Sequence, residues 1–532
     1  MKFRSGSWDR SLYLAVLGIY LALFLSALSF GVTSWDEETD YLGIRTQVAH
    51  AIQFLRGQNP DYRLIHSNLE YYGTAGLLPA WLIWFFQNSL LVGRLTLRQA
   101  LYEPSAEHQL TGFFATSHFL LGVEFIALSL FVVWISKHLG NRFPWLSGLI
   151  LILTPSLVGH SFVNPKDIPF ALFYTAYTYF SLRRARSSDP KWYGLSLLFA
   201  GLLINQKFVA LLPVLLTEVI LFVVQPRSLR CYRNLFVPAG ALLFALLLQP
   251  AAWGLLPWLY LHDAFETFAV HEWGGCMWWG DVCIGVRSDG WSAFIYLWKW
   301  WSVKLPLVYV FLILVQLVSA SRDLAGSHSS IIRPCLWWIV IAQAFLIPLL
   351  AVMANSNFYD ADRHTLFVYP PLAVFACAGF QSICDLRESR MLKSLLVFVC
   401  FSLSVSMAID TILLNPYQIA YINESGRFFH DHQTTSLDYW SVSAKESIRQ
   451  AQLNGSLSLN PTVDDSLGTL PLFIGLRQLA GHVSAGASPA LKFQVRDAPS
   501  FVDLEGCNKA SEVSRTLLTG QSLVMSRLWT CP

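Results

Sequence analysis

The chain has 532 residues, a formal net charge of +3 and a mean hydropathy of +0.46, with 54% hydrophobic and only 13% charged residues. Soluble domains carry about 25% charged residues, so the composition excludes an ordinary globular enzyme and describes a chain that crosses a membrane many times. The weak positive charge gives no hold on nucleic acid, no P-loop, Gly-rich dinucleotide loop or Cys-x-x-Cys pair is present, and twenty Trp and twenty Tyr suit many membrane–water interfaces.

Lys2, Arg4 and Arg10 precede an apolar run at 12–32. At 1.5 Å per residue its length matches a hydrocarbon core of roughly 30 Å, whereas a secretory signal has a core of about 7–15 residues. The run reads as a retained first span with the N-terminus inside; Ala27-Leu28-Ser29 keeps a cleaved signal as the alternative. Directly after it, Ser34-Trp35-Asp36-Glu37-Glu38-Thr39-Asp40-Tyr41 packs four carboxylates into five residues. Next, Tyr41, Ile44, Val48, Ile52 and Leu55 recur at spacings of 3, 4, 4 and 3, one face of a helix over 39–56 that lies in the membrane interface. Residues 73–92 are apolar enough for a span but contain Pro79 and the Gln87-Asn88 interruption.

Basic residues decide whether 73–92 crosses, because cytoplasmic loops hold the Lys/Arg excess. If it does not, spans at about 112–134, 145–162, 168–182, 192–206, 208–225, 235–253, 304–320, 335–352, 365–382 and 394–414 place seventeen basic residues inside and six in the later outer loops. If it does, fourteen of the seventeen move outside. The expectation is an all-α polytopic membrane protein of eleven spans over 1–414, N-terminus cytoplasmic, with 73–92 half-inserted or interfacial. A small C-terminal extracytoplasmic α/β domain follows over 415–532, with a helix at 439–453 and strands at 456–459 and 493–495. No internal repeat appears, which weighs against a transporter of inverted halves. Cys276, Cys283, Cys507 and Cys531 fall outside, where oxidising conditions allow disulfides Cys276–Cys283 and Cys507–Cys531. Cys231, Cys335, Cys377, Cys384 and Cys400 fall in or inside the membrane and stay reduced.

Two readings compete for the acids. Ser34-x-x-Glu37 is a capping box, and Asp167 in Asn164-Pro165-Lys166-Asp167-Ile168-Pro169 suits an N-cap. Capping accounts for one or two acids, not four. The charge count also puts Asp36 and Asp167 at span mouths on one face, as a site requires. Lys207 and Arg363-His364 lie on that face too, either anchoring helix ends by snorkelling or binding a lipid phosphate. His66 and Glu70, ahead of Tyr71-Tyr72-Gly73, and His271-Glu272 in the loop 254–303, read as solvated loop polarity or as ligands of a divalent ion.

The stretch Trp35–Tyr41 resembles the Asp-Glu motif in the first outer loop of polyprenyl-phosphate-dependent glycosyltransferases of the GT-C fold, a superfamily that includes the protein O-mannosyltransferases and the lipid A aminoarabinose transferase. Asp167 matches the family's second acidic position and Glu70 resembles a metal-binding acid in placement. Arg363-His364 resembles the Arg-rich approach to a late span, and Asn415-Pro416-Tyr417-Gln418 with Asp438-Tyr439-Trp440 resembles the outer segment of bacterial members. The resemblance runs over most of residues 1–440. It implies transfer of a sugar from a polyprenyl-phosphate donor to a lipid, glycan or protein acceptor on the outer face of a bacterial plasma membrane, with inversion. Asp36 is then the base, with Glu37 and Asp167 as catalytic neighbours. Lys207, Arg363, His364 and Tyr72 are assigned to substrate, and Glu70 and His271 to a metal if one is needed. Two other classes stay open. A flippase for a lipid-linked sugar needs polar or broken helices at mid-bilayer, where Glu124 and Glu218 are the main ionisable residues; a non-catalytic scaffold presenting the outer domain needs no Asp36.

Overall fold

The computed structural model describes residues 8–34, 36–58, 71–93, 95–102, 107–187, 189–224, 233–254, 257–270, 277–279, 282–284, 291–324, 332–354, 356, 358–386, 390–429, 435–456, 462–463, 490–495 and 505–531. The chain is mostly helical. In order come α1 (Trp8–Phe30), α2 (Glu37–Leu55), α3 (Leu78–Phe86), α4 (Leu97–Tyr102), α5 (Glu107–Leu139), α6 (Pro144–Ile152), α7 (Pro155–Val163), α8 (Asp167–Arg184), α9 (Pro190–Gln206), α10 (Leu211–Val224), α11 (Arg233–Leu247), α12 (Ala251–Gly254) and α13 (Pro257–Val270). A short hairpin of β1 (Met277–Trp279) and β2 (Val282–Ile284) leads to α14 (Ser292–Lys304), α15 (Leu307–Leu324), α16 (Ile332–Met353), α17 (Tyr369–Asp385) and α18 (Arg390–Leu413). The C-terminal part adds α19 (Glu424–Phe429), α20 (Ala444–Leu453) and a sheet of β3 (Thr462–Val463), β4 (Ala490–Val495), β5 (Asn508–Thr516) and β6 (Ser522–Cys531) in the order β3-β4-β6-β5. The pair β3–β4 is parallel and the other two are antiparallel.

This is a multi-pass membrane protein. Among the described residues, Trp8–Phe30, Leu110–Leu139, Leu336–Met353, Arg363–Asp385 and Arg390–Leu413 are long and apolar enough to cross a membrane, and two bent helix pairs bring the number to as many as seven. The other apolar segments also form helices, but shorter ones. The segment 145–162, expected as one straight span, is α6 and α7 meeting at 64°. The segment 304–320 begins in a 106° break between α14 and α15. Each break falls at an X-Pro step, Thr154-Pro155 and Leu305-Pro306. Proline pushes the preceding residue out of the helical region, and both are extended, with ψ of 110° and 118°. The freed carbonyls find partners, as buried groups must. Asn423 donates to the carbonyls of Ser302 and Leu305, each at 2.8 Å. Helices α15 and α17 touch backbone to side at Gly379, where a Cβ would collide with the Leu312 carbonyl.

The amphipathic helix expected over 39–56 is α2. Tyr41 and Ile44 are buried, Val48 and Ile52 pack beside them, and Leu55 points outward. They meet α3 and α5 through Trp81, Trp84 and Phe113. The segment 73–92 is α3 followed by a π-helical turn, Gln87–Leu91, shorter than a span.

Beyond α18 the chain turns back into the helical body. Gln418 donates to the Thr411 carbonyl at 3.0 Å, and residues 435–444 are buried without a break. The helix expected from Tyr439 starts only at Ala444. Asp438 draws the chain into a turn instead, accepting from the backbone N–H groups of Val442 and Ser443 at 2.9 and 3.0 Å. The strand expected at 493–495 is the end of β4; β5 and β6 escaped the sequence reading, and most of 456–459 lies outside the described residues. The disulfide Cys507–Cys531 is formed. Cys276 lies outside the described residues, so its pairing with Cys283 does too. Cys377, Cys384 and Cys400 are free thiols.

Candidate functional site

Four breaks between helices deliver charged side chains to one place. Asp36 stands at the start of α2, Lys166 and Asp167 at the start of α8, Lys207 between α9 and α10, and Asp360 and Arg363 ahead of α17. Arg363 sits at the centre. Its Nε donates to Asp167 Oδ2 at 2.8 Å, its Nη2 reaches Asp36 Oδ2 at 3.1 Å and its Nη1 reaches Asp360 Oδ2 at 2.6 Å. Lys166 Nζ bridges Asp36 at 3.2 Å and Asp40 at 2.7 Å, and Lys207 pairs with Asp167. Among the described residues, four carboxylates thus face three cations. Buried charges on this scale persist only when paired in this way.

Local chemistry holds each member. Asn164 takes the capping place expected of Asp167: its Oδ1 accepts from the backbone N–H groups of Lys166 and Asp167 at 3.2 and 3.0 Å, and its Nδ2 donates to Asp167 Oδ2 at 2.9 Å. That leaves the Asp167 carboxylate to the cations. The capping box at Ser34 is half made. Glu37 accepts from the Ser34 backbone N–H at 2.6 Å, but the Ser34 hydroxyl turns to the Val163 carbonyl at 3.4 Å, and Glu37 also contacts His118. Glu37 is 2% exposed and therefore ties α2 to α5 rather than facing a cavity. Tyr72 lies under the Lys166 ammonium, 5.0 Å from ring centre to nitrogen. Its loop is stitched to the end of α9, where Gln206 accepts from Gly76 N–H at 2.8 Å and Asn205 from Ala75 N–H at 2.9 Å. Gly73 passes so close to the Asn205 carbonyl that a Cβ would collide.

The charges are tuned unequally. Burial alone would push Asp36 up, but Lys166 and Arg363 outweigh it and hold the carboxyl below its ordinary value. Asp167, buried yet beside Lys207 and Arg363, lies well below. For Asp40, burial and the nearby Asp36 charge outweigh Lys166 and the weaker pull of Arg363, and its carboxyl is pushed up to about 7. Asp36 is the accessible one: 27% of its side chain is exposed, against 2% for Asp40 and 4% for Asp167.

A cleft of about 130 Å³ opens beside the cluster, lined by Tyr72, Lys207 and His364 among apolar neighbours such as Phe170, Ile347 and Phe367. One wall carries charge and hydroxyl and the rest is apolar, which suits an amphipathic ligand. Arg363 is spent on carboxylates and does not line this cleft.

The sequence-chosen residues Asp36, Asp167, Lys207, Arg363, His364 and Tyr72 therefore converge, with Glu37 one step behind. Neither Lys207 nor Arg363 snorkels. Glu70 and His271, and with them His66 and Glu272, lie outside the described residues. Among those described, His262, Asp263 and Glu266 on α13 have ligand atoms within 4.8 Å of one another. Their side chains are 68, 44 and 65% exposed and His262 already bonds Asp263, a solvated surface group rather than a built metal centre. Lys166, Asp40, Asn164, Asp360 and Trp440 were missed. Asp360 and Asp362 beside Arg363 were the available signal for one of them.

Residues 106–253 match the family model described as dolichyl-phosphate-mannose-protein mannosyltransferase. The stretch holds Lys166, Asp167 and Lys207 but neither Asp36 nor Arg363. Among solved structures the chain is similar to ArnT from Cupriavidus metallidurans bound to undecaprenyl phosphate, at 12% identity over 97% of each chain with a TM-score of 0.44. It is also similar to the oligosaccharyltransferase AglB from Archaeoglobus fulgidus in complex with an inhibitory peptide and a dolichol-phosphate, at 11% identity over 90% of this chain and 65% of that one with a TM-score of 0.46. No curated protein sequence shows significant similarity to the chain.

Proposed function

We propose that the protein is a membrane glycosyltransferase that moves a sugar from a polyprenyl-phosphate donor to an acceptor hydroxyl or amine on the outer face of a bacterial plasma membrane, with inversion. In this reading residues 1–414 cross eleven times, the N-terminus is cytoplasmic, and 415–532 form the outer part. The observation that carries it is the convergence of Asp36, Asp167, Lys207 and Arg363. Loop charge alone put them on one face, and they make one ion cluster beside an amphipathic cleft. The family match at 106–253 supports the same donor class.

The chemistry follows from the geometry. A phosphate ester of the sugar is a good leaving group, so no strong acid is needed at the departing oxygen. The acceptor heteroatom attacks the anomeric carbon from the face opposite the phosphate. As that bond forms, the sugar–phosphate C–O bond breaks and its electron pair stays on the phosphate. Asp36, the accessible carboxylate held charged by Lys166 and Arg363, takes the acceptor's proton. Lys207, on the cleft wall with Tyr72 and His364, meets the charge growing on the phosphate. Arg363 orients Asp36, Asp167 and Asp360. The apolar wall of the cleft takes the first units of the lipid tail.

Membranes carrying the wild type or Asp36→Asn, incubated with a labelled polyprenyl-phosphate sugar, test the reading. Label should pass to an acceptor fraction with the wild type only, at equal amounts of membrane-inserted protein. A fully active Asn variant removes Asp36 from the base role. Movement of intact donor across the bilayer without transfer would favour the flippase.

A further inference from the structure

Past the last long helix the chain returns to the ion cluster and places two aromatic side chains on it. Trp440 Nε1 donates to Asp360 Oδ2 at 3.1 Å, and the Arg363 guanidinium carbon lies 4.6 Å from the Trp440 ring centre. Tyr439 meets His160 Nε2 through its hydroxyl at 3.1 Å, and His160 in turn meets Asn164, the residue that holds Asp167. The Trp440 indole also packs edge-on against the His160 ring, with centres 5.2 Å apart. Trp440 is thus the one aromatic group in the described residues that both stacks on the central cation and bonds one of its carboxylates.

The surrounding backbone is built to put it there. Ser441 has φ 56°, and across the contact Asp360 and Ala361 have φ 57° and 56°. None is glycine, and each left-handed residue of this kind costs of the order of 1–2 kcal/mol, so such conformations persist only where the surroundings over-determine them. Here two such turns face each other across the Trp440–Asp360 bond. The turn at 438–443 is further tied to the sheet, because Ser443 Oγ donates to Ser526 Oγ of β6 at 2.6 Å. Arginine, by contrast, carries about 2 kcal/mol of rotamer entropy. Three carboxylates meet Arg363 at the edge of the guanidinium, through Nε, Nη1 and Nη2, and leave its face to be packed. The Trp440 ring supplies that packing, with the guanidinium carbon 4.6 Å from its centre.

We infer that Trp440 is a positioning residue of the transfer site: by packing against the Arg363 guanidinium and bonding Asp360, it holds that group where it meets Asp36 and Asp167 together. The inference rests on the transferase reading above. It makes residues 435–443 part of the catalytic apparatus rather than a cover over it. Trp440 touches neither donor nor acceptor; it acts through Arg363. The charged and titratable groups facing Asp36 are Lys166, Arg363, Asp40, Asp167, Asp360 and Tyr72. Loosening Arg363 removes one of the two cations that keep Asp36 ionised and leaves Lys207 and the cleft wall untouched.

The test compares full-length wild type, Trp440→Ala and Trp440→Phe in membranes. For Trp440→Ala, kcat should fall about 10- to 100-fold, the sum of a lost cation–π contact and a lost hydrogen bond. KM for the lipid donor should stay within about twofold, and the acid limb of the rate profile should rise by about half to one pH unit. Trp440→Phe keeps the stack and should recover most of the rate. A purely structural tryptophan would lower the amount of folded protein and leave the acid limb and the kcat of the folded fraction where they were; that result overturns the inference. A second measurement needs no transfer: thermal unfolding of Trp440→Phe, Asp360→Asn and the double variant in detergent. Non-additive losses support the contact, and additive ones overturn it. Coupling without any transfer by the wild type would sink the transferase reading and, with it, the catalytic role of Trp440, while the placement of Arg363 would stand.

Discussion

Helix α8 has an ion group at each end, and the two differ in kind. Its first residue, Asp167, belongs to the cluster of Arg363, Lys207, Lys166 and Asp36. Its last, Arg184, pairs with Glu218 on α10, which also accepts from the Tyr177 hydroxyl at 2.8 Å. Eighteen residues at 1.5 Å put the two groups about 27 Å apart, close to the thickness of a hydrocarbon core. The Arg184 group is drawn from α8, α9 and α10, and its ion-paired side chains are 0 and 6% exposed. The Asp167 group is drawn from breaks between helices all along the chain. It leaves one carboxylate and one ammonium, Asp36 and Lys207, in reach of solvent or a ligand. A pair locked between neighbouring helices holds a charge still; breaks that bring several chain segments to one point leave some of their charges accessible. A buried pair is weak evidence for stability in itself, so exposure and the adjoining cleft distinguish a site from a staple.

That contrast breaks if the two ends respond alike to mutation. Asp36→Asn should cut kcat by about 10²- to 10⁴-fold, the usual worth of a general base. The thermal midpoint in detergent should move little, since Lys166 and Arg363 keep Asp40, Asp167 and Asp360 as partners. Glu218→Leu should do the reverse. It strands the buried Arg184 at a cost of about 3–5 kcal/mol, read as a lower unfolding midpoint, while the rate per folded molecule stays within about twofold. A Glu218 variant that folds normally but cannot transfer would mean that both ends of α8 serve catalysis.

Lys207→Met sharpens the division inside the cluster. Lys207 is on the cleft wall and Arg363 is not. A hydrogen bond to a charged group is worth about 1.5–3 kcal/mol. Lys207→Met should therefore raise KM for the lipid donor by about 10- to 100-fold in steady-state assays with detergent-solubilised protein. If donor KM is unchanged and only kcat falls, the ammonium serves Asp167 alone.

Much of this was legible in the sequence, and for identifiable reasons. The apolar runs gave helices because period and length need no tertiary information. The charge bias of the loops put Asp36, Asp167, Lys207 and Arg363 on one face, and that sidedness brought them together. Three kinds of feature were not legible. The straight span expected at 145–162 is bent because Thr154 precedes a proline, a local effect that hydropathy averaging conceals. A cap and a site were both open for Asp167, because Asn164, three residues earlier, offers the same capping chemistry and only geometry shows which of the two turns inward. Trp440 stood out only within the Asp438-Tyr439-Trp440 resemblance; its contact was out of reach, because Arg363 is 77 residues away in the chain and nothing in the local pattern marks it. The strand β5 was missed because Asn508–Thr516 is largely polar on both faces and reads as loop.

The smallest expected effect concerns pH. The partial desolvation of Asp36 favours the neutral acid, but Lys166 and Arg363 reverse this and its carboxyl lies below the ordinary value. A carboxylate depressed in the folded state adds stability that is present above its unfolded pKa of about 3.9 and is lost as pH falls through the folded value. The same carboxylate stays competent as a base throughout that window. Transfer by the wild type should therefore show no loss from Asp36 protonation between pH 8 and about 5. Lys166→Met removes the larger of the two attractions. The acid limb should then rise by about one unit, and acid unfolding should start at correspondingly higher pH. Asp40, already pushed up to about 7 with Lys166 in place, would be neutral over most of the range in that variant and would no longer repel charge on Asp36, so the rise should stop near one unit. A rate profile unchanged by Lys166→Met would show that Arg363 alone sets the charge of Asp36, and would leave the Lys166–Asp40 pair, like Arg184–Glu218, a staple.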